Sequence, residues 1–270
     1  MSNTKKPETV AGTLIFVLII CLVCAALVSV AAVGLKPLQT ANKLLDKQTK
    51  ILEASNILAI ALKPENIKNA GSEDKSIVST YNKYVVAKMI DLDSGAFIDG
   101  DVNAFDERSA ARDVTQSIKP KNDIAGINRR ANSAVVYLVN NEQGQLTTIV
   151  LPILGMGLWD LMYGFVGLEA DLNTVSSVIY SDLKETPGLG AEVLNPKWKA
   201  LWPGKKMFNE QGDIAIKIVK GGAKKGDIHG VDALSGATLT SNGVEHTLHF
   251  WLGDEGYGPF INKFKDGGLD

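Results

Sequence analysis

The sequence predicts an α+β protein, built as a single N-terminal transmembrane helix followed by a mostly antiparallel α+β domain. Residues 9–35 carry no charge and are rich in Leu, Ile, Val and Ala. After this run, short β-branched segments follow one another without helices regularly between them, which is typical of an antiparallel sheet. The chain has 270 residues, of which 45% are hydrophobic and 21% charged, so it can hold one or two domains with a buried core.

The N-terminus is predicted to consist of a short tail over residues 1–8 and a transmembrane helix over residues 9–35. A helix needs about 20 apolar residues to cross a bilayer, because its backbone groups must be satisfied inside the segment. A cleaved signal peptide is the alternative, since Lys5 and Lys6 form a basic start and residues 29–31 resemble a cleavage site. The apolar core of such a signal spans only about 7–15 residues. The length therefore favours a retained anchor.

Residues 36–62 are predicted to form an amphipathic stalk helix. Leu44, Ile51 and Leu58 recur at a constant interval and place an apolar stripe on one side of it. Pro64 is predicted to end the helix, because the residue before a proline is disfavoured in helical geometry. Lysines that follow the apolar run favour a cytoplasmic location for the rest of the chain, although long domains escape this rule.

The remaining domain, residues 63–270, is predicted to contain a β-hairpin and several further elements. Residues 133–139 and 145–151 are β-branched runs joined by a polar turn, and Pro152 is expected to close the second strand. The other predicted elements are strands over residues 162–168, 174–180 and 213–219 and helices over residues 105–118 and 242–252.

Composition and motifs exclude two classes of partner. The formal net charge of −2, from 28 basic and 30 acidic residues, argues against a nucleic-acid partner. No Walker motif is present, and the Gly-x-Gly pairs at residues 155–157 and 188–190 lack the third small residue of a dinucleotide fingerprint.

No metal site is predicted, because each group of candidate ligands is incomplete. The cysteines have no second pair, the aspartates have Gly95 where an EF-hand needs an oxygen ligand, and the histidines have no cysteine or carboxylate partner nearby. The groups are Cys21 and Cys24; Asp91, Asp93, Asp99 and Asp101; and His246 and His249.

Residues 231–241, Val-Asp-Ala-Leu-Ser-Gly-Ala-Thr-Leu-Thr-Ser, concentrate hydroxyl side chains near a predicted helix start. Thr240 or Ser241 is expected to cap that helix, since Asn242 and Glu245 follow with capping-box spacing. The helix is expected to end at Gly253.

The same stretch favours an anion. Gly236 allows a sharp turn and a close approach of the backbone to a ligand, and the free amides of a helix start attract negative charge. Thr238 lies where a phosphate would bind. A plain Ser/Thr-rich helix cap remains the alternative interpretation of these hydroxyls.

Several motifs add a family resemblance. Residues 232–238 resemble the Asp-x-x-Ser/Thr-Gly-Ala-Thr signature at which a flavin transferase esterifies FMN, through its phosphate, to the last threonine. The segments Gly-Leu-Trp-Asp-Leu-Met-Tyr-Gly at 157–164, Glu-Thr-Pro-Gly-Leu-Gly at 185–190 and Gly-Pro-Phe at 258–260 resemble the C subunit of the sodium-translocating NADH:quinone reductases. The G subunit of the Rnf electron-transport complex shares the anchor and the signature.

The resemblance implies a covalent FMN on Thr238 and a set of residues that contact it. No catalytic side chain is implied, because the flavin itself carries the redox chemistry. Around the phosphate, the implied residues are Asp232, Ser235, Gly236, Ala237, Thr238, Thr240 and Ser241. Around the isoalloxazine ring they are Trp159, Met162, Tyr163, Glu185, Thr186, Pro187, Gly188, Leu189 and Gly190, for which ordinary core and turn roles are the alternative.

The resemblance also implies a function and a location. It implies an electron-carrying subunit of a complex that couples NADH:quinone reduction to sodium export, in the bacterial inner membrane, with the flavin domain on the periplasmic side. The implied partners are the other membrane subunits, the membrane, and a flavin transferase during maturation. An Rnf-type G subunit and a non-redox, membrane-anchored binding module are the alternatives.

Overall fold

The structure, a computed structural model, describes residues 9–267 and divides the chain into two compact units. The first extends to Lys47 and the second begins at Gln48. Helix α1, Val10–Ala54, is the one helix in the described part of the chain that is long and apolar enough to cross a membrane. The predicted tail at residues 1–8 lies outside the described residues.

The predicted stalk helix over residues 36–62 is corrected at its C-terminal end. α1 continues without a break across residues 35 and 36 and ends at Ala54. Just beyond it, Asn56 adopts a left-handed conformation with φ of 59°, and its side-chain amide donates to the Ser176 carbonyl and hydroxyl at 3.0 Å each. The helix thus ends through a tertiary contact, and Pro64 begins a later helix instead of ending this one.

The second unit contains a six-stranded sheet together with short helices and two small two-stranded sheets. Its helices are α2 Leu58–Ala61, α3 Pro64–Ala70, α4 Glu73–Tyr84, α5 Glu107–Arg112, α6 Pro196–Lys199, α7 Thr238–Leu252 and α8 Gly258–Lys265, with a 3-10 helix at Gly190–Leu194. Its strands are β1 Val85–Asp91, β2 Phe97–Ile98, β3 Ser117–Ile118, β4 Arg130–Ala131, β5 Ser133–Asn140, β6 Leu146–Met156, β7 Leu161–Glu169, β8 Val175–Asp182, β9 Lys217–Val219 and β10 Gly230–Asp232.

The central sheet is antiparallel throughout and has the strand order β2-β1-β5-β6-β7-β8. The predicted α+β class is therefore confirmed, as are the hairpin β5–β6 and the strands β7 and β8. Their signals are local, because β-branched residues occupy the strands and polar residues the turns.

Pro152 does not close its strand, contrary to the prediction, since β6 continues to Met156. Pairing with β5 reaches only Val150, and the Tyr257 hydroxyl donates to the Pro152 carbonyl at 2.8 Å. The nitrogen and carbonyl of one residue point to the same side of an antiparallel strand. The proline nitrogen therefore faces away from β7, and its missing N–H removes no bond from the β6–β7 ladder.

Two other predicted elements are shorter than expected. The helix predicted over residues 105–118 is only α5, because Asp113 accepts the Thr115 amide at 2.8 Å and turns the chain into β3. The strand predicted over residues 213–219 reduces to β9, which pairs in parallel with β10.

Helix α7 packs closely against β6, and glycines on both elements make this possible. A Cβ at Gly155 would lie 1.9 Å from Thr247 Oγ1, and a Cβ at Gly243 would lie 2.2 Å from the Met156 carbonyl oxygen. Farther along the helix, Trp251 Nε1 donates to the Leu154 carbonyl at 2.7 Å. These contacts place the first turn of α7 beside the end of β6 and the turn at residues 157–160.

Candidate functional site

Helix α7 begins at Thr238, four residues before the predicted start at Asn242. Its N-cap residue is Ala237, whose side chain has no acceptor for the amides of the first turn. Gly236, with φ of 73°, reverses the chain just before it. Thr238 is exposed at this helix start, where the first backbone N–H groups lack intrahelical partners. Such a helix start binds anions.

The hydroxyls of Thr240 and Ser241 do not cap the helix or face the anion position, contrary to the prediction. Both residues are buried, with exposures of 1%. Thr240 Oγ1 donates its only proton to Glu185 Oε2 at 2.5 Å, and Ser241 Oγ accepts the Leu234 amide at 3.0 Å. The two hydroxyls instead tie the first turn of α7 to neighbouring segments.

Of the other signature residues, some hold the backbone before the helix in place and others are exposed beside Thr238. Asp232 Oδ1 accepts the Ala223 amide at 2.8 Å, and its carbonyl accepts Trp198 Nε1 at 2.9 Å, so this residue holds the segment before the site in place. Ala237 is buried, whereas Ser235 and Gly236 are exposed beside Thr238. The structure places Ser235, rather than Thr240 or Ser241, on the open side of the turn.

The buried side chain of Glu185 connects this helix start to the β6–β7 turn. Its Oε1 accepts the backbone amides of Leu158 at 2.9 Å and Trp159 at 3.1 Å. Its Oε2 accepts the Thr240 hydroxyl. The sequence motif placed Glu185 near the cofactor as a contact, but its carboxylate is occupied by protein donors from two segments.

One glycine of each Gly-x-Gly pair makes room for this carboxylate. A Cβ at Gly157 would lie 2.5 Å from Glu185 Oε1, and one at Gly190 would lie 2.2 Å from Glu185 Oε2. Both positions are far inside van der Waals contact. These two glycines therefore allow the Glu185 side chain to pack closely.

Trp159 is exposed, with 64% of its surface accessible, and yet it is held at two points. Glu185 binds its backbone amide, and Thr186 Oγ1 accepts its indole Nε1–H at 3.1 Å. Thr186 opens a turn in which the Leu189 amide donates to the Thr186 carbonyl at 3.1 Å and Gly188 has φ of 76°. With Pro187 second and glycine third, this is the residue pattern of a type II turn.

Two apolar side chains that lie near the helix start add to this surface. Leu189 is 43% exposed, and its Cδ2 lies 3.0 Å from the position of a Cβ on Gly236. Leu239, directly after Thr238, is 61% exposed. The motif predicted Leu189 but missed Leu239, whose only signal in the sequence is an apolar residue between two threonines.

The structure does not bring Met162 and Tyr163 to this surface. Met162 is fully buried and lies opposite Gly155 in the β6–β7 register, on the sheet face that α7 covers. Side chains alternate along a strand, so Tyr163 lies on the other face. There, the Arg108 guanidinium stacks 3.5 Å above its ring centroid. Neither side chain is accessible from Thr238, which corrects the prediction for both.

An ion pair lies on the β6–β7 turn. Lys184 Nζ donates to Asp160 Oδ2 at 2.5 Å, and this bond, with the Leu161 amide, lowers the pKa of Asp160. In residues 9–267, no group of three or more His, Cys, Asp or Glu residues could hold a metal ion. His249, one of the candidate ligands, contacts the Ile216 carbonyl through Nε2 at 2.7 Å.

The arrangement fits a phosphate ester that carries an aromatic group. The uncapped first turn of α7 fits the phosphate, the exposed Thr238 hydroxyl lies at that turn, and the apolar side chains offer faces for a flat ring. The fold and this site define an FMN-binding domain, and residues 157–253 match the family of that description. The matched segment includes the β6–β7 turn at residues 157–160, named the Trp159 turn below, and the whole of α7.

Full-length relatives identify the family more closely. The C subunit of the Na(+)-translocating NADH-quinone reductase from Vibrio anguillarum is 48% identical over 265 residues, which cover 97% of this chain and 98% of the relative. The Yersinia pestis C subunit is 45% identical over 267 residues, covering 98% of this chain and 97% of the relative. The chain belongs to the family of C subunits of Na(+)-translocating NADH-quinone reductases, as the motifs predicted.

Solved structures agree with the fold. The crystal structure of Shewanella oneidensis NqrC superposes with a TM-score of 0.75 at 40% identity, covering 84% of this chain and 99% of that one. The C subunit from Parabacteroides distasonis superposes with a TM-score of 0.63 at 28% identity, covering 84% and 96%.

Proposed function

We propose that this chain is the electron-carrying C subunit of a Na+-translocating NADH:quinone reductase and that it holds FMN as a phosphoester on Thr238. The family to which the chain belongs supports the role in the complex, and the relatives described above favour it over the Rnf-type alternative. The observation that carries the attachment site is the uncapped start of α7, with the exposed threonine as its first residue.

The attachment is a group transfer without any change of redox state. The Thr238 hydroxyl oxygen forms the new P–O bond to the flavin phosphate and loses its proton. With flavin adenine dinucleotide as donor, the P–O bond that breaks lies within the pyrophosphate, and adenosine monophosphate leaves. The amides of the first turn would hold the negative charge of the bound phosphodiester and stabilise it.

The side chains around Thr238 position the group that Thr238 carries. When bound, FMN supplies the reversible electron transfer, and the protein sets its position and electrostatics. Trp159, held at its amide and at its indole, offers an aromatic face whose orientation is fixed before binding. Leu189 and Leu239 exclude water beside it. A covalent link keeps the carrier loaded in either oxidation state.

The apolar helix α1 supports attachment of this domain to a membrane. Helix α1 is proposed as a retained anchor in the bacterial inner membrane, with the flavin domain on the periplasmic side. The other membrane subunits of the reductase are the proposed lasting partners, and a flavin transferase is the proposed partner during maturation. No residue of the chain is assigned a catalytic role.

Intact mass of the denatured protein tests the attachment. Full-length wild type, produced together with a flavin transferase, is expected to carry the added mass of one FMN and to stay fluorescent after denaturation. Thr238→Ala is expected to carry none, because no other exposed hydroxyl lies on the first turn of α7. Thr238→Ser should be loaded, since it keeps the nucleophilic oxygen.

Ser79→Ala is the control, because Ser79 is an exposed hydroxyl on helix α4, outside the signature. It should be loaded like wild type. Flavin on the Thr238→Ala protein would move the attachment to another residue, and an unmodified wild type would favour a non-redox binding module.

A further inference from the structure

We propose that Glu185 is a positioning residue for flavin attachment, holding the Trp159 turn and the first turn of α7 in the geometry that receives FMN. The inference rests on the proposed function and deepens it. The observation that carries it is one buried carboxylate that accepts hydrogen bonds from both segments at once.

The bonds of Glu185 are divided between its two oxygens. Oε1 faces the β6–β7 turn and takes two consecutive amides, those of Leu158 and Trp159. Oε2 faces α7 and takes the hydroxyl of Thr240, two residues after Thr238. The carboxylate thereby fixes the spacing between Thr238, the proposed point of attachment, and Trp159, the proposed contact for the flavin ring.

Because Glu185 is buried, its carboxylate needs the hydrogen-bond donors of both segments. Within residues 9–267, Glu185 forms no ion pair, and its partners are neutral donors. A buried carboxylate without hydrogen-bond donors is strongly unfavourable. The charge keeps all its hydrogen bonds only while the Trp159 turn and the helix start are both in place. Displacement of either segment would leave the buried carboxylate short of donors, which is unfavourable.

The space around the carboxylate is closed as well. Gly157 borders Oε1 and Gly190 borders Oε2, each so closely that a methyl group would collide with the oxygen. Few other positions are therefore open to the carboxylate. This enclosure accounts for one glycine of each Gly-x-Gly pair, Gly157 and Gly190.

Thr240→Val tests the inference with little change in shape, because valine replaces the hydroxyl by a methyl group and leaves the Glu185 charge short of one donor. The full-length protein is incubated with flavin transferase and flavin adenine dinucleotide, and loading is followed by intact mass. We expect Thr240→Val to load about tenfold more slowly than wild type, the loss typical of a missing hydrogen bond to a charged group. Thr240→Ser, which keeps the donor, should restore the rate.

Time-resolved anisotropy of the bound flavin gives a readout that a loss of stability alone would not change. In wild type, the ring should rotate with the protein. In folded Thr240→Val and Glu185→Ala, an additional fast component should appear, because the ring remains tethered but its seat is no longer fixed. Glu255→Gln, a change at a similar carboxylate elsewhere in the domain, should resemble wild type in both measurements.

The outcomes separate the two proposals. Equal loading rates and equal anisotropy decays in wild type and Thr240→Val would overturn the positioning role while leaving attachment at Thr238 intact. A wild type that gains no FMN mass would overturn the attachment and the inference that depends on it. If Glu185→Ala fails to fold, Thr240→Val alone decides between these results.

Discussion

Glu185 and Glu255, near opposite ends of α7, both bind consecutive backbone amides, Glu185 through one carboxylate oxygen and Glu255 through both. Each accepts two consecutive amides of a distant loop, from Leu158 and Trp159 at 2.9 and 3.1 Å for Glu185, and from Lys121 and Asn122 at 2.6 and 2.8 Å for Glu255. The difference between them lies in what surrounds the pair of bonds.

Around Glu255, the remaining contacts are structural. The Glu255 carbonyl accepts Arg130 Nη1 at 2.7 Å, and the buried Arg130 also pairs with Asp93. The helix that precedes it ends in the buried residues Phe250, Trp251 and Leu252. The last turn of α7 is packed into the hydrophobic core, and we refer to this end as the closed end.

The hydrogen-bond partners of Glu185 lie next to side chains that are exposed to solvent. Its loop partner Trp159 is largely exposed, and its helix partner Thr240 follows the exposed Thr238. The comparison shows that a pair of amide bonds to a glutamate does not itself indicate function. Function is indicated where such a pair supports exposed aromatic and hydroxyl groups at an uncapped helix start.

The largest effect that separates the two ends is expected from Gly190→Ala. The new methyl group would lie 2.2 Å from Glu185 Oε2 and 2.6 Å from Thr240 Oγ1, so the bond between them must break or shift. We expect the free energy of unfolding to fall by about 2–4 kcal/mol, from overpacking and the loss of a buried bond. Denaturant unfolding of the full-length protein in detergent measures this, and intact mass should show slower flavin loading.

Gly256→Ala is the matched control at the closed end. Its methyl group would lie 2.4 Å from the Trp251 carbonyl oxygen, a collision of similar severity. A comparable loss of stability with normal loading is expected. Slow loading in both variants would mean that loading follows stability in general and would remove the distinction between the two ends.

The sequence predicts well those parts of the fold whose causes are local. The hairpin β5–β6 and the strands β7 and β8 follow from side-chain patterns and turn residues that lie within each segment. The end of α1 does not, because Asn56 reaches Ser176, 120 residues away in the sequence. The helix predicted over residues 105–118 fails similarly, since Arg129 Nε donates to Ser117 Oγ at 2.8 Å and stabilises the extended segment.

The candidate site shows the same division. The motif places Thr238 at a turn before a helix, which depends only on neighbouring residues. The roles of Thr240 and Met162 depend on which side of α7 or of the sheet each occupies, and that follows from packing. No local pattern shows that Glu185 is buried between two glycines from different segments.

A smaller effect is expected from Trp159, because its indole bond to Thr186 is exposed to water. Thr186→Ala removes the acceptor and keeps the indole, so the free energy of unfolding should fall by at most about 1 kcal/mol. Trp159→Ala removes the aromatic face as well. Covalent loading should persist in both variants, since the helix start is unchanged, while the visible circular dichroism of the flavin should change more in Trp159→Ala. Identical flavin spectra in wild type and Trp159→Ala would contradict a seat for the ring on this side chain.

The smallest effect is expected at the closed end, from Glu255→Gln, and it depends on pH. Partial burial alone would raise the pKa of Glu255, but the amides of Lys121 and Asn122 and the nearby Arg130 guanidinium outweigh it, and the pKa lies below the ordinary value of 4.5. A group whose pKa is lowered by folding contributes stability above its unfolded pKa and loses it as the pH falls through its folded pKa.

Wild type should therefore unfold at a higher denaturant concentration than Glu255→Gln at neutral pH. The gap should close as the pH falls below 4.5. A gap that stayed constant over this range would show that the ionised carboxylate of Glu255 is not what stabilises the loop, whereas a change in flavin loading would show that the closed end is coupled to the open one.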